Sequence, residues 1–164
     1  MNSLKEISSE ASFTYPNLET LYAKVAAFSN VLSENILLTA GSDGAIRACF
    51  ESCIESGDRI ILSRPTFAMY SVYSKIYGAQ VTWLDYDKST NGPILKVDKI
   101  VTVIHEVRPK MVCLPNPDSP TGTVFSLIDL KKIIDASEVV GALILIDEAY
   151  HPLYEETVAP LIYE

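Results

Sequence analysis

Toward the end of this chain an unbroken apolar run, Leu143-Ile144-Leu145-Ile146, is followed at once by Asp147-Glu148-Ala149-Tyr150. A continuous apolar run has the pattern of a strand buried on both faces. An acid at the carboxyl end of such a strand stands where open α/β sheets place their ligands. An ionised carboxylate behind four apolar residues calls for a cationic partner, and a protonated pyridine nitrogen is one such partner. Tyr150, three residues on, is within reach of the same ligand. The alternative is that Asp147 caps a helix, although Pro152 lets any helix start only late.

Three other segments carry possible chemistry. Gly41-Ser42-Asp43-Gly44-Ala45 lies between a predicted strand and a predicted helix. Glycines there allow a tight turn, and the first helical amides then point outward as donors for a phosphate. It is neither the dinucleotide fingerprint nor a P-loop, and a plain turn capped by Asp43 accounts for the same residues. Arg64-Pro65-Thr66-Phe67 also follows a strand, and Phe67 offers a flat face to an aromatic ring. Phe67 and Tyr70 equally have the spacing of core residues on a helix. Pro117-Asp118-Ser119-Pro120-Thr121-Gly122 is a constrained loop that can aim Ser119 or Asp118 into a cleft. His105 and His151 have no metal-ligand spacing and read as surface or loop residues.

The elements that must position these groups alternate. Helices are predicted over 17–28, 45–56, 66–77, 97–106 and 127–139. Strands are predicted at Ile36 to Ala40, Arg59 to Ser63, Gln80 to Leu84, Met111 to Leu114 and Ala142 to Ile146. Asn17 is the expected N-cap of the first helix, and Leu18, Leu21, Tyr22, Val25 and Phe28 its apolar face. Such alternation predicts an α/β fold, a three-layer α/β/α arrangement around a mostly parallel sheet. Residues 1–14 read as a flexible lead-in, 15–154 as the domain, and 155–164 as a tail without a packed element, as though the chain were cut.

The 164 residues suffice for a sizeable core, and 48% hydrophobic with 21% charged residues is ordinary for a globular protein. A net charge of -8 disfavours nucleic acid as a partner. No apolar run is long enough to span a bilayer, and no membrane partner is expected. Cys49, Cys53 and Cys113 form no disulfide framework and read as small buried apolar residues. A reducing, cytoplasmic setting is the simplest expectation.

These motifs, in this order, resemble the large domain of fold-type I pyridoxal-phosphate enzymes, most closely the class I/II aminotransferases of the histidinol-phosphate aminotransferase type. The resemblance runs from Tyr15 to about Tyr154. It implies that the amides of Ser42, Asp43 and Gly44 hold the phosphate of pyridoxal 5'-phosphate, and that Phe67 stacks on its ring. It implies that Asp147 pairs with the ring nitrogen and that Tyr150 bonds the 3-hydroxyl. Tyr15, in a Tyr-Pro motif, would reach the phosphate of the neighbouring subunit in a homodimer. The substrate would be an amino acid or amino-alcohol phosphate, exchanging its amino group with a 2-oxo acid. A non-catalytic binding or pairing module, or a lyase or decarboxylase on the same scaffold, are the alternatives.

Two departures from the resembled pattern stand out. Ser119 occupies the place where the family has Asn before Pro-Thr-Gly, and a serine is shorter. The family's Schiff-base lysine, in a Ser-x-Ser-Lys segment, would fall beyond Glu164. Lys75, after Ser74, lies in the wrong element, so no residue of this chain is assigned to catalysis and the chain alone is expected to be inactive. On the same resemblance Ile36 to Ala40 lacks its strand partners, and the strand ending at Leu114 would show an open edge. That predicts an oligomer, a rearranged sheet or a portion of a longer protein.

Overall fold

Apolar residues on successive strand positions must find cover on both sides of a sheet, and in the two inner strands they do. Strands β1 (Arg59–Arg64), β2 (Gln80–Asp85), β3 (Met111–Pro115) and β4 (Leu143–Asp147) form one sheet in the order β2-β1-β3-β4, with every neighbouring pair parallel. The computed structural model describes residues 7–163. It divides into two compact units, Met1–Leu38 and Thr39–Glu164.

The second unit holds the sheet. Helices α2 (Gly41–Cys53) and α3 (Ala68–Ile76) cover one face, and α4 (Val97–Val107) and α5 (Leu127–Val140) the other. Helix α1 (Glu19–Ser29) belongs to the first unit. The period-2 alternation of strand side chains sorts the core. Ile60, Leu62, Met111 and Cys113 pack with Ile46, Phe50, Tyr70 and Tyr73. Ile61, Val112 and Leu114 pack with Ile100, Ile104, Leu130 and Ile133. All five residues of β3 are buried, which is what an interior parallel strand requires. The expected three-layer α/β/α architecture is therefore the observed one.

The second unit differs from the sequence reading in three places. The predicted edge at Leu114 is absent, because β3 lies between β1 and β4, and the edges are β2 and β4. The chain reverses direction across the sheet after β2, and that reversal moves β3 inside. The Gly41–Gly44 stretch, read as a turn, already belongs to α2. The N-cap of that helix is Ala40, without a side-chain bond, so Asp43 is not the cap. The tail is tied rather than free. Short 3-10 turns form at His151–Leu153 and Ala159–Tyr163, and Val158 packs against the α4–α5 side of the core. The Glu148 carboxylate holds that segment, accepting from Thr157 Oγ1 at 2.6 Å and Val158 N at 2.8 Å.

The strand expected over Ile36 to Ala40, a stretch divided between the two units, does not form. Ile36 is extended, at φ -116 and ψ 133, but the stretch has no ladder partner among the described residues, and a strand exists only by pairing. Asn17 acts one residue early, its Oδ1 accepting from Glu19 N at 2.8 Å, while Leu18 is the N-cap. The expected apolar face of α1 is largely exposed at Leu18, Leu21 and Phe28.

The core and the α5 cap supply unequal amounts of stability. Ile133 is fully buried, and Ser126 Oγ accepts from Asp129 N at 3.2 Å at the start of α5. Ile133→Ala is expected to cost about 3 kcal/mol, and Ser126→Ala about 1 kcal/mol. Urea unfolding should separate the two midpoints in that order.

Candidate functional site

The reversal of strand order between β1 and β3 creates a crevice outside their carboxyl ends. Chain leaving β1 turns toward β2, chain leaving β3 turns toward β4, and ligands of open α/β sheets bind at such a point. A pocket of about 60 Å³ lies there, and Ser42, Phe67, Ser119, Asp147 and Tyr150 all contribute to its wall. A second hollow of about 210 Å³ shares Ser119 and Tyr150 with it. Residues as far apart in sequence as Ser42 and Tyr150 thus meet at one place.

Asp147 ends β4 in register with Pro115 of β3. Its Oδ1 accepts from Ala149 N at 3.0 Å, and its Oδ2 from the Tyr70 hydroxyl at 3.1 Å. The first bond is the local turn that the capping alternative anticipated, and it uses one oxygen only. Among the described residues no lysine, arginine or histidine forms an ion pair with Asp147. A carboxylate oxygen has two lone-pair directions, so each oxygen keeps acceptor capacity beyond its protein donor.

Phe67 and Tyr70 separate cleanly. Helix α3 begins at Ala68, so Phe67 sits at its N-cap, 37% exposed, facing the pocket. Tyr70 is 0% exposed and lies in the core, as its spacing suggested. Its hydroxyl is nevertheless at the site. Burial, and then the Asp147 carboxylate, push it well above the usual phenol range, so it remains a donor. The core reading of Tyr70 was correct for the ring and missed the hydroxyl.

The phosphate-cradle candidates occupy the first turn of α2, whose leading amides have no intrahelical acceptor. Of these residues Ser42 lines the pocket, whereas Asp43 and Gly44 do not. The Asp43 carboxylate accepts from the Tyr73 hydroxyl at 3.0 Å. Tyr15 lies in the first unit and is fully exposed. Tyr150 is about half exposed.

The loop after β3 is built by its own side chains. Asn116 is buried and bridges to Phe125, accepting from its N–H at 2.7 Å and donating to its carbonyl at 3.3 Å. Asp118 is 3% exposed and does not face the cleft as a free acid. It accepts from Thr66 Oγ1 at 3.2 Å and Thr121 Oγ1 at 2.5 Å, tying the loop after β1 to the loop after β3. Pro117 and Ser119 of that loop line the pocket, Ser119 with a polar side chain. The sequence assigned no role to Thr66, to Tyr73 or to the hydroxyl of Tyr70. The only available signal was the three-residue spacing of Tyr70 and Tyr73, which places both on one face of α3.

An acid without a cation, an aromatic ring and an uncapped helix start thus stand together at the switch point of an α/β sheet. The chain belongs to the aminotransferase class I and II family, whose model matches residues 3–161. It is 37% identical over 149 residues to histidinol-phosphate aminotransferase of Thermoanaerobacter pseudethanolicus, covering 91% of this chain and 41% of that protein. The enzyme of the same name from Sulfurisphaera tokodaii is 32% identical over 151 residues, covering 92% and 42%. The chain thus spans about two fifths of the length of these relatives. Among solved structures, a PLP-dependent aminotransferase from Streptococcus suis matches with TM-score 0.68 at 30% identity, over 84% of this chain and 38% of that one. Histidinol-phosphate aminotransferase from Sinorhizobium meliloti, solved with pyridoxal-5'-phosphate, shares the fold with TM-score 0.73 at 19% identity, over 84% and 37%. No helix among the described residues is long and apolar enough to cross a membrane.

Half-buried Tyr86, packed against the α4–α5 side of the core, has a pH signature. Burial, followed by the nearby Asp118 carboxylate, pushes the Tyr86 hydroxyl from 10.0 up to about 12. The folded chain then keeps a proton that the unfolded chain releases, so the Tyr86 contribution is whole below pH 10.0 and is lost as pH rises to about 12. Tyr86→Phe should flatten that part of the alkaline decline, read as urea midpoints across the interval.

Proposed function

We propose that this chain is the cofactor-binding part of a pyridoxal 5'-phosphate-dependent aminotransferase that moves an amino group between an amino acid or amino-alcohol phosphate and a 2-oxo acid. The observation that carries this reading is Asp147, a carboxylate at the end of β4 that lines a pocket and has no cationic partner among the described residues. The donor set suits the cofactor, which has a basic ring nitrogen, a flat ring and a phosphate. Family membership and the names of the relatives support the reaction and the substrate class.

The roles follow from chemistry. Asp147 pairs with the ring nitrogen and keeps a proton on it, because an opposite charge at short range favours the charged form. The Phe67 ring stacks on the heterocycle. The amides of Ser42, Asp43 and Gly44, at the start of α2, take the phosphate. Tyr150 bonds the 3-hydroxyl, and Ser119 reaches the same oxygen directly or through a water. Tyr15 serves the phosphate of the neighbouring subunit in a homodimer. The bound cofactor supplies an electron sink for a substrate carbanion. The covalent lysine is assigned to sequence outside these 164 residues, and the chain by itself is expected to show no turnover. Cys49, Cys53 and Cys113 are free thiols, in keeping with a reducing, cytoplasmic setting.

Pyridoxamine 5'-phosphate carries no aldehyde and attaches to no lysine, so it tests the site directly. Fluorescence titration of the 164-residue chain should show binding, and Asp147→Asn should weaken it about 10- to 100-fold, as expected for a hydrogen bond between charged partners. Equal affinity in the two proteins would overturn the assignment.

A further inference from the structure

Helix α3 presents one side chain to both halves of the site. The Tyr70 ring meets Phe67 edge-on, with centroids 6.4 Å apart and planes at 88°. Its hydroxyl donates to Asp147 Oδ2 at 3.1 Å. Tyr70 has no exposure, and the Ser74 hydroxyl donates to its carbonyl at 2.6 Å, bracing the helix turn beneath it. A single buried side chain therefore touches the aromatic wall and the carboxylate without itself lining the pocket.

We infer that Tyr70 is a positioning residue, fixing the plane of the Asp147 carboxylate and the pitch of the Phe67 ring, so that charge pairing and stacking address one heterocycle at once. The inference rests on the proposed pairing of Asp147 with a cofactor ring nitrogen. The physical argument is directional. With the Ala149 amide on Oδ1 and the Tyr70 hydroxyl on Oδ2, the carboxylate is held at both oxygens. Each oxygen keeps one lone-pair direction for the pocket. Without the hydroxyl, a partly buried carboxylate has one protein donor fewer and is free to rotate.

The test uses ring-15N-labelled pyridoxamine 5'-phosphate bound to the 164-residue chain at one mildly alkaline pH. Wild type should give the resonance of a protonated ring nitrogen. Tyr70→Phe keeps the ring against Phe67 and removes only the hydroxyl. It should move the resonance toward that of the neutral ring and weaken binding about tenfold. Tyr73→Phe removes a hydroxyl from the same helix whose partner is Asp43, and should leave the nitrogen resonance where it is in wild type. Circular dichroism and melting would check each fold. For a reading that needs no variant of the fold, 3-fluorotyrosine at position 70 should shift its 19F resonance when the ligand binds. The inference is overturned if Tyr70→Phe coincides with wild type while Asp147→Asn moves the nitrogen signal, if Tyr73→Phe moves it as far as Tyr70→Phe, or if the 19F resonance stays fixed. If wild type binds no ligand, or Asp147→Asn leaves the nitrogen signal unmoved, the assignment of the site itself falls, and the positioning role with it.

Discussion

The β3–β4 register is the constraint on which the site depends. Met111 pairs with Leu143, and the ladder runs without a break to Pro115 opposite Asp147. Beyond it, Asn116 N donates to the Asp147 carbonyl at 2.8 Å. Because side chains alternate between faces, a slip of one residue would turn every β4 side chain over. Ile144 and Ile146 would lose the α4–α5 side of the core, and Asp147 would leave the side occupied by Tyr70. The apolar contacts of Ile144, Leu145 and Ile146 therefore fix where a charge points.

The charges around the crevice are managed by neutral donors. Tyr70 serves Asp147, Tyr73 serves Asp43, and Thr66 and Thr121 serve Asp118. Hydroxyls orient a carboxylate without cancelling its charge, whereas an arginine or lysine would do both. The contrast lies at the same carboxyl end of β1, one strand over toward β2. There Arg64 grips Asp85 through two bonds of 2.7 and 3.0 Å and lies 5.5 Å from the centre of the Trp83 ring. That pair is exposed to solvent and closes on itself, and exposed pairs contribute little stability. At the crevice the negative charge stays open toward the pocket, where a cationic ring has use for it.

Long-range ties hold the two loops as one wall. Thr66 and Asp118 are 52 residues apart in sequence, yet their bond joins the segment carrying Phe67 to the segment carrying Ser119. Asn116 closes the second loop from inside by serving both backbone groups of Phe125. A buried polar group is costly when left unpaired, and these residues pair one another. The loop after β3 is rigid because its polar groups are spent on itself, leaving Ser119 to face the pocket.

Although β4, read as buried on both faces, is an edge strand with Leu143 exposed and the rest half-buried, the sequence by itself determined most of the alternation of helices and strands, the buried nature of β3, and the place of Asp147 at a strand end. Those features are local, written in apolar runs of four or five residues and in the Gly and Pro that bound them. The nearness of Ser42, Phe67, Ser119, Asp147 and Tyr150 was legible only through a resemblance to a family, since spacing along a chain does not reveal which strand ends become neighbours. Whereas the missing strand partners of Ile36 to Ala40 were already implied by the resemblance, tertiary structure alone decided that β3 is interior and that Asp118 is a buried tie while Ser119 lines the pocket. It also decided that a core tyrosine lends its hydroxyl to the acid. Strand order and hydroxyl partners are properties of packing between distant segments, and nothing in the periodicity of one segment encodes the chemistry of the surface it will meet.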